Sequence, residues 1–319
     1  SSATFINENT LSVGNETIQA DKVVIASGSK PKVLDFEGGQ LAKTSTDFLN
    51  LKELPQSLLF IGGGYIAFEF AHIAARSGAE VTIVHRGKRP LENFDKDIVK
   101  HLVDATRNLG IKLVLETEVS KIESKDGHYI TTGISDGKET TYKSTAVFNS
   151  AGRPPAIFDL ELKKAGISFS KKGIEVNEYL QSKSNANIYS AGDAADSRGL
   201  PLTPVAVLEG HVVASNIIKG NKKKVRYPPM PSVVFTLPTM ATVGLLEDDA
   251  KEKGYDINVN FEKVDNWFNA RRLNVDEYAF KTIIDKNNNT ILGAHLIGPH
   301  CEETINLFAM AIKTKMTIS

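Results

Sequence analysis

The sequence of 319 residues contains a single cysteine, Cys301. One cysteine excludes a disulfide within this chain and any metal site built from cysteines alone, so we predict no metal. Scarce cysteine is typical of a reducing compartment. The opening residues SSATFINENT lack the basic start and the apolar core of a secretion signal, and no apolar run approaches a membrane span. We therefore expect a cytoplasmic protein without a membrane partner.

The sequence also lacks a net charge, because Lys+Arg and Asp+Glu both total 38. No overall field would attract nucleic acid, and we predict no nucleic-acid partner. The hydrophobic share of 41% and the charged share of 24% are those of an ordinary globular protein. A chain of this length predicts two or three domains.

The segment from Leu58 to Arg89 is typical of a dinucleotide-binding unit. An apolar run over Leu58–Ile61 predicts a strand, Gly62 and Gly64 predict a turn, and a helix and a second strand follow. Gly62 would allow the tight turn, and Gly64 would let a pyrophosphate approach bare backbone. The anion would lie at the helix N-terminus, where unpaired N–H groups favour negative charge.

The end of the second predicted strand indicates the coenzyme. NAD-binding units usually place there an acid that binds the ribose 2′-hydroxyl. This chain has His85, followed by the cations Arg86, Lys88 and Arg89. Cations could pair with the 2′-phosphate of NADP, so we predict NADP rather than NAD. A solvated basic loop would have the same composition.

Three other segments also end an apolar strand at a glycine: Val23–Gly28, Ala146–Gly152 and Ile188–Gly192. Such strand ends line ligand crevices in open α/β sheets, and we expect two crevices. The residues between 119 and 148 predict an antiparallel insertion, because Asp-Gly turn dipeptides interrupt short β runs. A proline-rich linker after Gly220 precedes a block of strands and a helix, which we assign to packing and subunit contact.

Several motifs in this order resemble the flavin-dependent pyridine nucleotide-disulfide oxidoreductases, close to glutathione reductase. They are ASGSKP, GGGYIAFE, SAGRPP, IYSAGDAA, LTPVA, and VVFT with PTMATVG. The resemblance implies an α/β fold, with Rossmann-like FAD- and NAD(P)-binding domains followed by an α+β interface domain. The implied domains are a partial FAD-binding domain (1–45), an NAD(P)-binding domain with an antiparallel insertion (46–153), the return of the FAD-binding domain (154–226) and the interface domain (227–319).

The resemblance also assigns cofactor residues. Tyr65 resembles the ring that covers the flavin, Glu69 the acid that orients the nicotinamide, and Asp193 the flavin-ribityl ligand. Without the family, Tyr65 could be a packing residue, Asp193 a helix cap, and Arg153 a brace between domains. The predicted NADP residues are Gly62, Gly64, Tyr65, Ile66, Glu69, His85, Arg86, Lys88, Arg89, Gly152 and Arg153. The predicted FAD residues are Ser27, Gly28, Gly192, Asp193, Thr203, Pro204, Val205 and Ala206.

Several family elements are missing from this sequence. They are a first glycine fingerprint, a C-x4-C pair and a terminal His-Pro-Thr-x-x-Glu. We therefore interpret the chain as a fragment that lacks roughly one domain of its parent protein. His295, His300 and Cys301 match no family catalytic group, and we expect them to be structural. We therefore predict no catalytic residue in this chain, which should bind NADPH but reduce no disulfide.

The resemblance implies a parent homodimer that transfers hydride from NADPH through FAD to a small-molecule or small-protein disulfide, as glutathione reductase does. Mercuric, hypohalite or other specialised reductases stay open within the family, and two further alternatives stay open. One is an NAD-dependent dihydrolipoamide dehydrogenase, and the other is a nucleotide-binding module without catalysis.

Overall fold

The computed structural model of the protein describes residues 3–318, which form two compact units. The first unit contains the residues up to Pro31 and the segment Arg153–Pro228. The second contains the segment Lys32–Gly152 and the residues from Pro229 onward. No helix in the described residues combines the length and the apolar character needed to cross a membrane.

The strands, numbered in chain order, are β1 (Ala3–Phe5), β2 (Thr10–Val13), β3 (Glu16–Gln19), β4 (Val23–Ile25), β5 (Ser57–Ile61), β6 (Glu80–Val84), β7 (Lys112–Val114), β8 (Glu118–Lys125), β9 (His128–Ser135), β10 (Lys138–Ser144), β11 (Ala146–Asn149), β12 (Phe169–Ser170), β13 (Gly173–Glu175), β14 (Ile188–Ser190), β15 (Ala195–Asp196), β16 (Ser232–Val234), β17 (Met240–Gly244), β18 (Ile257–Lys263), β19 (Ala279–Asp285) and β20 (Thr290–Ile297). The helices are α1 (Ser45–Leu49), α2 (Tyr65–Arg76), α3 (Lys96–Asn108), α4 (Thr203–Lys219), α5 (Glu247–Glu252), α6 (Phe268–Leu273) and α7 (Cys301–Thr314). Short 3-10 turns lie at Gly39–Leu41, Leu162–Ala165 and Gly192–Ala194.

A parallel sheet of order β11-β5-β6-β7 forms the centre of the second unit. Alternate side chains of β5 enter two different cores, as strand geometry requires. Phe60 packs in one core with α2 and α3 through Phe68 and Leu102. Leu59 packs in the other core with Ile122 of β8. The antiparallel insertion that the sequence predicted therefore packs on one face of this sheet.

The insertion is a three-stranded sheet of order β10-β9-β8. Its two turns occur at the Asp-Gly dipeptides, where both residues have positive φ: Asp126 at 50° and Gly127 at 74°, then Asp136 at 48° and Gly137 at 73°. Two consecutive residues with positive φ give the tight turn whose twist matches antiparallel strands. The dipeptides thus determine where this sheet reverses.

Helix α3 shows how a single side chain can begin a helix. Asp95 is its N-cap, and the carboxylate accepts hydrogen bonds from the N–H groups of Asp97 and Ile98 at 3.0 and 3.2 Å. Gly110, with a φ of 86°, follows its last turn. Both the cap and the glycine act within a few residues of the helix end that they define.

The remainder of the second unit is a five-stranded antiparallel sheet of order β16-β17-β20-β19-β18 packed against α7. His295 of β20 is fully buried and donates from Nε2 to the Leu245 carbonyl at 3.2 Å, while Thr242 lies 2.5 Å from Nδ1. Burial lowers the pKa of His295. Cys301 is also buried, and burial raises the pKa of its thiol to about 12. Both side chains lie in the packed interior of this region, and their structural role stays a prediction.

A buried cation connects this antiparallel sheet to α3. The Lys281 side chain is 1% exposed, and its Nζ lies 3.0 Å from Asp95, 2.6 Å from Asp97 and 2.7 Å from Glu247. Burial alone would lower the pKa of Lys281, but hydrogen bonds to the three carboxylates outweigh it and raise the pKa. Asp97 is 41% exposed and Glu247 also binds Lys251, whereas the Asp95 side chain is 3% exposed. Asp95 therefore depends most on the lysine, since a buried charge without a partner is costly.

The first unit contains three small sheets of order β1-β2-β3, β12-β13-β15 and β14-β4. Parallel pairing places Ser190 of β14 opposite Ile25 of β4. One apolar core joins these sheets to α4 through buried residues that include Ile25, Ile188 and Val212. The ends of β4 and β14 therefore lie side by side, which brings the glycines that follow them together.

The buried cluster makes a prediction about stability. We expect Lys281→Met to lower the free energy of unfolding by about 3–5 kcal/mol, because it leaves the buried Asp95 carboxylate without its cation. Lys286→Met is the matched control, since Lys286 and Asp256 form an exposed pair that contributes about 1 kcal/mol or less. Urea unfolding measures both changes, and equal losses would contradict the cluster's importance.

The same cluster predicts a pH dependence. Hydrogen bonds from Lys251 and Lys281 lower the pKa of Glu247 from 4.5 to about 2. A lowered pKa stabilises the folded state above the unfolded pKa, and this stabilisation is lost as the pH falls from about 4.5 towards 2. We expect Glu247→Gln to reduce the fall in the free energy of unfolding over that range. Urea unfolding at several pH values tests this, and identical slopes for both proteins would refute it.

Candidate functional site

The glycine turn between β5 and α2 is shaped by close backbone contact. Gly62 has a φ of 117°, and a Cβ at this position would lie 2.3 Å from the carbonyl oxygen of Ser150. A Cβ on Gly63 would lie 2.6 Å from the ring of His85. Gly64, the N-cap of α2, has an ordinary φ of −87° and open space where a Cβ would be. The first two glycines are required by the fold, whereas Gly64 leaves room for a ligand.

The turn opens into a cavity of about 500 Å³ that lies entirely within the second unit. The ends of β5, β6 and β11 meet there, as do the loop after β6 and the segment before β8. Its lining residues are Lys32, Val33, Leu34, Asp35, Phe36, Ile61, Gly62, Gly63, Gly64, Tyr65, Val84, His85, Arg86, Gly87, Leu91, Glu92, Asn93, Phe94, Thr117, Glu118, Val119, Ser150, Ala151 and Gly152. The N-terminus of α2 thus borders a space large enough for part of a dinucleotide.

His85 lines this cavity, but its ring supports the glycine turn. Cβ atoms built on Gly63 and Gly87 would lie 2.6 and 2.7 Å from the ring, so the imidazole occupies the space that both glycines leave. Its Nε2 lies 3.1 Å from the carbonyl oxygen of Arg89. The sequence identified His85 and missed Gly63, whose only signal was its place inside the glycine triplet.

The three predicted cations have different surroundings. Arg86 lines the cavity, and its side chain makes no hydrogen bond or ion pair with any described residue. The Arg89 guanidinium donates to the carbonyl oxygens of Phe94 and Glu92 at 2.9 and 2.8 Å, so it stabilises its own loop. Lys88 is exposed and is not part of the cavity lining. The structure therefore brings only Arg86 of this group into the cavity.

The predicted residues of α2 also differ in whether they line the cavity. Tyr65 lines the cavity and is 49% exposed, whereas Ile66 and Glu69 are half-buried outside its lining. The Glu69 carboxylate accepts a hydrogen bond from the Phe235 N–H at 2.9 Å. Burial raises the pKa of Glu69, and this hydrogen bond offsets part of the rise. In this structure Glu69 binds backbone, while Gly152 contributes to the cavity as predicted.

In the first unit, a short hydrogen-bond chain orients Asp193. The Ser29 hydroxyl donates to Oδ2 of Asp193 at 2.8 Å. The Arg153 guanidinium donates to the Ser29 hydroxyl and carbonyl at 3.2 and 2.8 Å. Arg153, which the sequence assigned to NADP, is therefore placed beside a predicted flavin ligand. Oδ1 of Asp193 has no hydrogen-bond partner among residues 3–318.

The other predicted FAD residues surround the adjacent strand ends. Ser27 and Gly28 follow β4, and Gly28 has a φ of 68°. Gly192 follows β14 with a φ of 66°, and a Cβ there would lie 3.2 Å from the Ala206 side chain. Thr203, Pro204, Val205 and Ala206 form the first turn of α4. Bare backbone, a helix N-terminus and a carboxylate acceptor suit a flavin nucleotide.

Sequence reasoning missed Glu209, which holds this region together. Its carboxylate is 1% exposed and accepts hydrogen bonds from the Gly192 N–H at 2.7 Å, the Ser197 hydroxyl at 2.6 Å and the Tyr227 hydroxyl at 2.5 Å. Burial, followed by the bond to Glu209, raises the pKa of Tyr227. A signal was available, since Glu209 stands four residues after buried Val205, on the apolar stripe of α4.

Comparison with known proteins identifies the family. The sequence model described as "Pyridine nucleotide-disulphide oxidoreductase" matches residues 1–210, and the model of the dimerisation domain matches residues 230–319. This chain belongs to the pyridine nucleotide-disulphide oxidoreductase family. The family is flavin and pyridine nucleotide dependent, and its nucleotide-binding and dimerisation domains are arranged along the chain as the sequence predicted.

Three similar proteins carry different names. An uncharacterized 19.7 kDa protein in a mercuric resistance operon of Staphylococcus aureus is 53% identical over 48% of this chain and 86% of its own length. Mercuric reductase of Staphylococcus aureus is 33% identical over 99% of this chain and 58% of its own length. The solved structure of the HOCl-induced flavoprotein disulfide reductase RclA from Escherichia coli matches with a TM-score of 0.85 and 29% identity, and the match covers 99% of this chain and 72% of that one.

The chain thus spans little more than half the length of that mercuric reductase. Relatives with different names match at similar identity, 33% and 29%. Identity alone therefore does not select a substrate within the pyridine nucleotide-disulphide oxidoreductases.

The glycine turn yields a prediction that separates its two roles. We expect Gly62→Ala to lower the free energy of unfolding by about 2 kcal/mol or more, because the added Cβ meets the Ser150 carbonyl at a positive φ. Gly64→Ala adds its Cβ to open space and should change stability by about 0.5 kcal/mol or less. Chemical denaturation of both variants tests this, and a larger loss in Gly64→Ala would be incompatible with the observed turn.

Proposed function

We propose that this chain carries the NADPH site and part of the FAD site of a flavoprotein disulfide reductase of the glutathione reductase type. One observation supports the nucleotide site most directly. The glycine turn leaves open space at Gly64, at the point where the N-terminus of α2 borders the cavity, so a pyrophosphate could meet unpaired backbone N–H groups.

The preference for NADPH is supported by Arg86. It follows the end of β6, lines the cavity, and has no protein partner among residues 3–318. A guanidinium without a partner can form paired hydrogen bonds to a phosphate. We assign Arg86 to the 2′-phosphate, and we assign Arg89 to holding the loop on which Arg86 stands.

The flavin site is supported by the strand ends of the first unit. Asp193 would accept hydrogen bonds from flavin hydroxyls through its second oxygen, while Ser29 and Arg153 hold the carboxylate in place. The first turn of α4 would present N–H groups to an electron-rich edge. When bound, FAD supplies the two-electron chemistry that connects a hydride donor with a disulfide.

The whole protein would contain further residues that reduce the disulfide, and it would act as a cytoplasmic homodimer through the region matched by the dimerisation model. A second candidate is an NAD-dependent dihydrolipoamide dehydrogenase. The carboxylates Asp35, Glu92 and Glu118 in the cavity lining favour it, since a carboxylate can accept hydrogen bonds from the ribose hydroxyls of NAD.

Arg86→Ala tests the proposed coenzyme. Loss of a charged hydrogen bond should weaken NADPH binding by about tenfold to a hundredfold and leave NADH binding unchanged within about twofold. Dissociation constants from calorimetry on the purified chain measure both. Lys88→Ala is the matched control, because Lys88 lies in the same loop outside the cavity lining. Equal loss for both coenzymes, or no binding of either by the unsubstituted chain, would refute the proposal.

A further inference from the structure

We propose that Glu92 limits the preference for NADPH by placing a carboxylate in the coenzyme cavity, against Gly87 of the loop that carries Arg86. The inference rests on the proposed function, because it concerns the same nucleotide site. It assigns to Glu92 opposite effects on the two coenzymes: repulsion of the 2′-phosphate of NADPH, and acceptance of a hydrogen bond from the free 2′-hydroxyl of NADH.

The position of Glu92 is determined by its own loop. Its Oε1 lies 2.9 Å from the place that a Cβ on Gly87 would occupy, and Gly87 directly follows Arg86. The Arg89 guanidinium holds this loop closed by donating to the carbonyl oxygens of Glu92 and Phe94. The loop therefore folds back and places the Glu92 carboxylate near the end of β6. In the sequence, Glu92 lies seven residues after His85, which holds the position where NAD-binding units usually have an acid.

The charges that line the cavity predict only a weak electrostatic attraction for a phosphate. Its lining contains the cations Lys32 and Arg86 and the carboxylates Asp35, Glu92 and Glu118, which sum to one negative charge with neutral histidine. None of these five side chains forms an ion pair or side-chain hydrogen bond with another described residue. A 2′-phosphate would enter this space with up to about two further negative charges, whereas a 2′-hydroxyl adds none.

Of the three carboxylates in the cavity lining, Glu92 stands on the loop that carries Arg86. It contacts Gly87, while Asp35 precedes the first 3-10 turn and Glu118 begins β8. The influence of a solvent-exposed charge decreases steeply with distance in salt. Glu92 places its carboxylate against Gly87, the residue after the phosphate-binding Arg86, so we expect it to act on a phosphate bound there. Glu118 also reaches this loop, because the N–H of Thr117 donates to the His85 carbonyl oxygen.

The experiment compares two ligands that differ only in the 2′-phosphate. Calorimetry on the purified chain would give dissociation constants for adenosine 2′,5′-bisphosphate and for 5′-AMP. We expect Glu92→Gln to raise the preference for the bisphosphate by about fivefold, as for removal of one exposed like charge. The increase should shrink at high salt. Glu53→Gln is the control, because it removes the same charge from an exposed site outside the cavity.

The outcomes separate the two proposals. If both ligands bind but Glu92→Gln leaves their ratio unchanged, the inference about Glu92 is wrong and the nucleotide site stands. If Glu53→Gln changes the ratio equally, overall charge and not Glu92 sets the preference, which also overturns the inference. If neither ligand binds to the unsubstituted chain, the proposed function itself fails.

Discussion

Two backbones approach each other too closely for a side chain where β5 ends beside β11. A Cβ on Gly62 would lie 2.3 Å from the Ser150 carbonyl oxygen, and the residue has a φ of 117°. This contact ends the strand, reverses the chain and starts α2 with its N–H groups facing the cavity. The cavity, the open space at Gly64 and the placement of Arg86 in the same lining all depend on that one steric requirement.

A second constraint reaches the cavity from the antiparallel sheet. Lys281 of β19 binds the carboxylate of Asp95, and Asp95 both caps α3 and directly follows Phe94 of the cavity lining. The region matched by the dimerisation model thus fixes one end of the loop after β6 through a buried charge. A buried ion pair contributes little net stability on average, but it specifies position, because each partner becomes costly without the other. Accurate placement of a loop is what a binding site requires.

The sequence predicted features whose causes are local. The start of α2 and the two hairpin turns follow from residues within a few positions of one another, and the structure has both. The sequence did not predict the contacts of side chains whose partners are distant in the sequence or belong to a loop. His85 packs on the glycine turn, Arg89 binds carbonyls of its own loop, and Glu69 binds a backbone N–H that is distant in the sequence. The sequence can predict that charged and polar side chains lie near a site, but the fold determines which of them line it.

Under the proposed function, coenzyme choice would depend on a local balance of charges. A basic sequence run suggests a strong phosphate site, yet only Arg86 of its three cations lines the cavity, together with more carboxylates than cations. One guanidinium can bind a phosphate through directed hydrogen bonds, while surrounding carboxylates act over a longer range that salt reduces. The two effects differ in distance dependence, so they can be changed separately. A family can then exchange one coenzyme for the other by altering exposed loop charges, with the glycine turn and its buried supports unchanged.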